Sequence, residues 1–183
     1  DRLYQQRKFV EAGEKYRQSL AAASSPREKA MACTAIASCL DVLDELDEAK
    51  QMVEEGIAQD ATYGQAWVTK GVIHRHAGDL DKAERCYREA EKLDPESPFL
   101  HASLGALYLM RDKPEEALQS LDRAVALNPS VAVSHANRSL ALATLGRHDE
   151  ADAALRKAVA LGYANGDVLQ PRLKALRELD AKK

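Results

Sequence analysis

Ala49, Ala83, Ala117 and Ala151 recur at a fixed interval of 34 residues, and a small residue follows each by seven: Gly56, Ala90, Ala124 and Ala158. A chain with such a period does not build one central core. Each unit buries its apolar face against the next, which predicts a stacked repeat array. Ala83, Tyr87 and Ala90 are spaced i, i+4, i+7 and share one helix face. The pattern predicts a helix over Gly64–His76, a turn at Gly78–Asp79 and a second helix over Leu80–Leu93, ended by Asp94–Pro95. By the same register, helices are expected at Arg27–Val42 with Leu46–Ala58, Ser97–Met110 with Pro114–Ala126, and Val131–Leu145 with His148–Ala160. Pro114 suits a first helical position, where its missing N–H costs nothing.

Four positions carry the packing argument. Ala37, Gly71, Gly105 and Ser139 stand mid-helix, where glycine costs up to about 1 kcal/mol relative to alanine, so close approach of a neighbouring helix is the expected compensation. A bulky residue there should cost about 1–3 kcal/mol through overpacking. Asp60–Ala61 and Gly162–Tyr163 occupy the places of Asp94–Pro95 and Asn128–Pro129, so these two junctions are expected to differ in geometry. At the N-terminus Ala12, Tyr16 and Ser19 fit the second-helix positions, with Ser24–Ser25–Pro26 carrying a three-residue insertion. Leu3 would then be the last apolar contact of a first helix that begins before Asp1, which implies a truncated unit. Leu169, Leu173 and Leu176 give an amphipathic last helix, with Gly166 and Pro171 spoiling its first turn. Such a helix would cover the final hydrophobic surface.

Trp67, Gly71, Ala83, Tyr87, Ala90 and Pro95, and again Gly105, Tyr108, Ala117, Ala124 and Pro129, resemble the tetratricopeptide (TPR) pattern. The resemblance extends over nearly the whole chain. It implies an all-α fold, a right-handed α-α superhelix of antiparallel helix pairs with a C-terminal capping helix. One elongated domain over 1–183 is expected, with a partial repeat at 1–23, repeats at 30–63, 64–97, 98–131 and 132–164, and the cap at 165–183.

Charged residues make up 30% of the chain at a net charge of −3, which opposes a basic nucleic-acid footprint. No run of eighteen apolar residues or signal-like start is present, so membrane insertion is not expected and a cytoplasmic location is. The Ala- and Arg-rich repeats suggest a bacterial source. Cys33, Cys39 and Cys86 lack metal or redox spacing and read as packed thiols. His74 and His76 cannot share a helix face, and His101 and His135, though equivalent by register, bring no Cys or carboxylate at ligand spacing. No phosphate loop, nucleophile elbow or zinc-protease helix occurs. No catalytic residue, cofactor or metal is therefore assigned.

The resemblance also implies where a ligand would sit, since the first helix of each pair lines the concave side in this family. The family's clamp for chaperone acidic tails needs lysines, arginine and asparagines at fixed register. Here those places hold Thr34, Ser38, Thr69, Phe99 and Ser103. One unit later they hold Val68, Val72, Ser103, Val133 and Asn137, and in the last frame Ala102, Ala106, Asn137, Asp167 and Pro171. None supplies the cations. The groove instead presents Gln65, Thr69, Arg75 and His76, then Phe99, Ala102, Ala106, Leu109 and Met110, then Asn137, with Arg75 and His76 placed to select an acidic residue. An apolar stripe suits a protein or peptide partner. The alternative is that Leu109, Met110 and Leu140 pack between helices and Phe99 plugs a junction. The expected function is a non-catalytic adaptor. The other two readings are a regulatory or substrate-docking module of a larger enzyme, and a self-associating homo-oligomer.

Overall fold

The structure, a computed structural model, describes residues 2–182, with side chains from residue 6 onward. Among the described residues there are ten helices and no strand: α1 (Arg2–Ala22), α2 (Pro26–Val42), α3 (Leu46–Gln59), α4 (Gly64–His76), α5 (Leu80–Leu93), α6 (Pro98–Met110), α7 (Pro114–Leu127), α8 (Ala132–Thr144), α9 (His148–Ala160) and α10 (Gly166–Asp180). The strongest packing joins consecutive members, α2 with α3, α4 with α5, α6 with α7 and α8 with α9. The chain divides into two compact units, Asp1–Pro95 and Glu96–Lys183.

Pair packing follows a size rule that the sequence period sets up. In α4 a Cβ added at Gly71 would lie 2.6 Å from Tyr87 Cδ1, and in α6 one added at Gly105 would lie 2.8 Å from Leu121 Cδ2. Both Tyr87 and Leu121 are fully buried, so glycine leaves the space that the facing ring or isobutyl group fills. Ala37 with Val53 and Ser139 with Leu155 occupy the same register, and all four are buried. The core of the first unit gathers Ile36, Ala37, Leu40, Val53, Ala66 and Ile73. That of the second gathers Leu118, Leu121, Leu142, Leu155, Leu169 and Leu173.

The turn inside each pair is a second periodic feature. Asp44, Gly78, Asp112 and Gly146 recur every 34 residues and all have positive φ, 66°, 81°, 56° and 74°. Between pairs, Asp60, Asp94 and Asn128 are extended at φ −150°, −148° and −146°, each donating its N–H to the carbonyl four residues back. Asp60–Ala61 therefore matches the proline-containing junctions, against expectation. Asp60 Oδ1 accepts from the Thr62 amide at 2.9 Å and Asn128 Oδ1 from Ser130 at 3.0 Å, so a side-chain turn does without the proline. Gly162 does depart: at φ 91° it closes α9 through a bond from the Tyr163 amide to Ala158 O.

Two terminal expectations need correction. No turn separates two helices near Leu3, because α1 is one unbroken helix of 21 residues; the Leu3 side chain lies outside the described residues. At the other end α10 starts at Gly166 and carries Pro171 within it, so neither residue spoils the helix. Leu169 and Leu173 are buried against α8 and α9. Arg177 reaches Asp149 at 3.1 Å and Asp152 at 2.8 Å, and His148 meets Asp180 at 3.1 Å.

Candidate partner-binding surface

In the second unit, α6 contains no charged residue. Ser97 caps its first turn, accepting from the Leu100 amide, and Pro98 sets the helical φ there. Phe99 and Met110, eleven residues apart, fall on one face about 16 Å from each other. They are 49% and 52% exposed. Between them Ser103 and Ala106 are half-buried, so the floor of the stripe is low and its ends are bulky. α8 packs beside α6 and repeats the register with Val133, Asn137, Leu140 and Thr144. Val133 is exposed, and Asn137 offers an amide at mid-stripe. The lone charge of α8, Arg138, is drawn to Asp122 of α7 at 2.5 Å and leaves the stripe uncharged.

The expected surface residues divide into two sets. Phe99 and Met110 are exposed, and Gln65, Ala106, Leu109 and Asn137 are half-buried. Thr69 and Ala102 are corrected: both are buried and serve helix packing. Thr34 and Asp41 are buried as well, with Thr34 Oγ1 donating to Ala30 O at 2.7 Å. Leu109 and Leu140 pack against the core of the second unit, as the packing alternative held, whereas Met110 is half exposed.

Arg75 and His76 have an intramolecular role that the sequence did not disclose. Arg75 Nη2 donates to His76 Nε2 at 3.0 Å, which leaves the His76 Nδ1 proton for Asp41 Oδ1 at 2.8 Å. The histidine thereby ties α4 to the buried carboxylate of α2. Trp67 Nε1 donates to Ala61 O and His135 Nε2 to Pro129 O, each at 2.9 Å and six residues back, so equivalent aromatic side chains fasten helix starts to the preceding loop. Missed on the exposed side were Met31 and Val42 of α2, each half exposed; both lie in the register of Phe99 and Met110, two periods earlier. Counting back by 68 from those two residues would have found them.

The remaining chemistry is internal. Cys33, Cys39 and Cys86 are free and buried, and burial pushes all three thiols up. Burial also holds the His74 imidazole below its ordinary range. Among the described residues no group of three His, Cys, Asp or Glu side chains is placed to hold a metal, and no helix is long and apolar enough to cross a membrane.

Helix pairing, the small-for-large seam and the period meet in comparison with known proteins. Residues 103–165 match the tetratricopeptide repeat profile. A thermophilic tetratricopeptide protein of Thermus thermophilus superimposes with a TM-score of 0.74 over 95% of this chain and 93% of that one, at 22% identity. This chain belongs to the tetratricopeptide repeat family. Residues 4–121, roughly two thirds of the chain, also place it in the family described as the auxiliary subunit of N-terminal acetyltransferase A. The human FK506-binding protein-like protein is 35% identical over 97 residues, 49% of this chain and 28% of that protein's length. The chain thus spans only about a quarter of that relative. The first TPR of Spaghetti (RPAP3), bound to the HSP90 peptide SRMEEVD, superimposes with a TM-score of 0.58 at 24% identity, over 67% of this chain and 96% of that one.

Proposed function

We propose that this TPR array is a non-catalytic docking module that holds an apolar segment of a partner protein along α6 and α8. The observation that carries this reading is the uncharged stripe in which Phe99, Met110 and Val133 stand about half exposed on two adjacent helices. Burying three such side chains yields roughly 5–9 kcal/mol gross, and ordering the partner offsets several kcal/mol of it. Micromolar affinity is the expectation. Asn137 supplies the polar contact that fixes the segment's position.

A second reading concerns what the module serves. The acetyltransferase auxiliary-subunit match favours a docking module attached to an enzyme, in keeping with the expectation of a substrate-docking array. The acidic chaperone tail carried by the Spaghetti neighbour does not suit this chain. Of the register positions that would need cations, Thr34 is buried and bonded to its own helix, while Phe99 and Val133 are apolar.

Affinity capture with the unaltered chain and with Met110→Glu tests the proposal, with the exposed Arg172→Glu of α10 as a control and helicity checked for each. The captured partner should be lost about tenfold or more with Met110→Glu alone, since a carboxylate would be buried in an apolar contact. Equal capture by all three forms would move the site off α6. In calorimetry the peptide SRMEEVD should bind no better than about millimolar, because the charge-assisted bonds are missing. Low-micromolar binding would overturn the residue argument.

A further inference from the structure

Tyr16 occupies in α1 the place that Tyr87 has in α5, two helices that share the alanine, tyrosine and small-residue spacing of a second helix. Tyr87 is fully buried against Gly71 of α4, while Tyr16 is 41% exposed. No first helix of the pair covers it among the described residues. α1 runs straight through Arg7 and Lys8, where the register puts the turn that would fold such a helix back. What remains is an open cleft of about 650 Å³ between α1 and α2, lined by Tyr16, Ser19, Glu28, Met31, Ala35 and Tyr63 among others.

The cleft has the chemistry of a vacant helix position. Ala35 leaves a low floor, and Tyr63 beside it stacks with the Arg27 guanidinium, 4.6 Å from the ring centre. Glu28 is the one charged residue among its lining side chains. The carboxylate is kept ionised, its pKa lowered chiefly by the Ser24 amide; Oε2 accepts from Ser24 N at 2.8 Å, Ser24 Oγ at 2.9 Å and Ser25 N at 3.2 Å. An acidic occupant is thereby repelled and a basic one attracted.

We propose that this cleft binds an amphipathic α-helix of a second polypeptide, which completes the open pair by setting a glycine or alanine against Tyr16. In a complete array the first helices of successive pairs run parallel, so the occupant's first turn lies beside the first turn of α2. There it carries a lysine or arginine for Glu28. This surface is separate from the α6–α8 stripe, and the two proposals stand or fall independently.

The chain supplies its own probe, since α4 is the helix that pairs with a tyrosine through Gly71. The probe is a side-chain-stapled peptide of residues Gly64–His76 carrying Gln65→Lys, titrated into the full chain with Met31 methyl and tyrosine ring signals followed by NMR. Signals of Met31, Tyr16 and Tyr63 should shift on binding, and a Gly71→Leu form of the peptide should bind about tenfold more weakly, from overpacking against the ring. Tyr16→Ala in the protein should reverse that order, favouring the leucine peptide. Gln65→Glu in the peptide should weaken binding several-fold, and Glu28→Gln, which can still cap α2, should abolish the difference. Absence of binding, indifference to the residue at 71, or shifts confined to Tyr87 would each overturn the proposal.

Discussion

The seam between paired helices and the exposed stripe on the first helices obey opposite rules. In the seam, size on one side is answered by size on the other: Gly71 faces Tyr87 and Gly105 faces Leu121, with no space left. On the stripe the same register holds Met31 and Val42 in α2, Gln65 and His76 in α4, Phe99 and Met110 in α6, and Val133 and Thr144 in α8. Those residues share a place but not a chemistry. Close packing couples a seam residue to its neighbour, so substitutions there must come in pairs, whereas a stripe residue facing solvent is free to vary until a ligand fixes it. Fold is therefore written in the seam, and under the function proposed above specificity would be written in the stripe.

The largest expected effect breaks the seam. Gly71→Val sets a branched side chain inside the Tyr87 ring and should cost about 3 kcal/mol or more, seen as a lowered midpoint in urea unfolding. The sharper test copies another repeat. Gly71→Ser combined with Tyr87→Leu reproduces the Ser139–Leu155 pair of α8 and α9, and should recover most of the loss caused by Gly71→Ser alone. Additive costs in that double-mutant cycle would mean that the two positions are not coupled. A stripe substitution such as Val133→Ser should change the midpoint by less than about 0.5 kcal/mol.

Smaller, and dispersed over both units, is the response to acid. Glu28, Asp60, Asp79 and Glu150 all sit below the usual carboxylate range, held down chiefly by hydrogen bonds from the Ser24 amide, the Thr62 hydroxyl, Lys82 and Arg147 respectively. Folding lowers these values, so their contribution is complete above the unfolded values of 4.5 and 3.8 and is lost as pH falls through the folded ones. His74 acts in the same sense. Burial lowers its folded value beneath 6.5, so the unfolded chain binds that proton first and stability declines as pH drops below about that point. Thermal unfolding should therefore fall gently from about pH 6.5 and steeply below about pH 4.5. With His74→Gln the gentle phase should shrink while the steep one stays.

How far the sequence led is clearest on the first helices. Period and small residues located the eight paired helices to within a residue or so, because the seam repeats every 34 residues and its size rule is visible in the letters. The stripe was harder. Thr69 and Ala102 were assigned to the surface and are buried, each one residue from a less buried position, Lys70 and Ser103. One residue turns a helix by about 100°, and apolar letters on both faces of α2 and α6 gave no polar edge by which to fix the rotation. The Asp41–His76 tie was illegible for another reason: it joins residues 35 positions apart through side-chain geometry, and no spacing rule predicts it.

A small predicted effect comes from the turns, where repeats of one backbone use two residues. Asp44 and Asp112 take positive φ at the place where Gly78 and Gly146 do. Aspartate tolerates that region better than most side chains, yet it still pays the Cβ contact that glycine lacks. Asp112→Gly should relieve the contact but enlarge the freedom of the unfolded chain, terms of similar size, leaving a net gain of about 0.5 kcal/mol or less. The reverse exchange is not symmetric. Gly146→Ala brings the contact without an aspartate's local hydrogen bonding and should cost about 1 kcal/mol, although nothing but the Asp180 carboxylate, 3.6 Å away, stands near the added methyl group. Comparable losses for both substitutions in chemical denaturation would show that Asp112 is held by something other than backbone preference. A loss confined to Gly146→Ala would show that four turns of one shape differ only in how much strain their residue leaves in place.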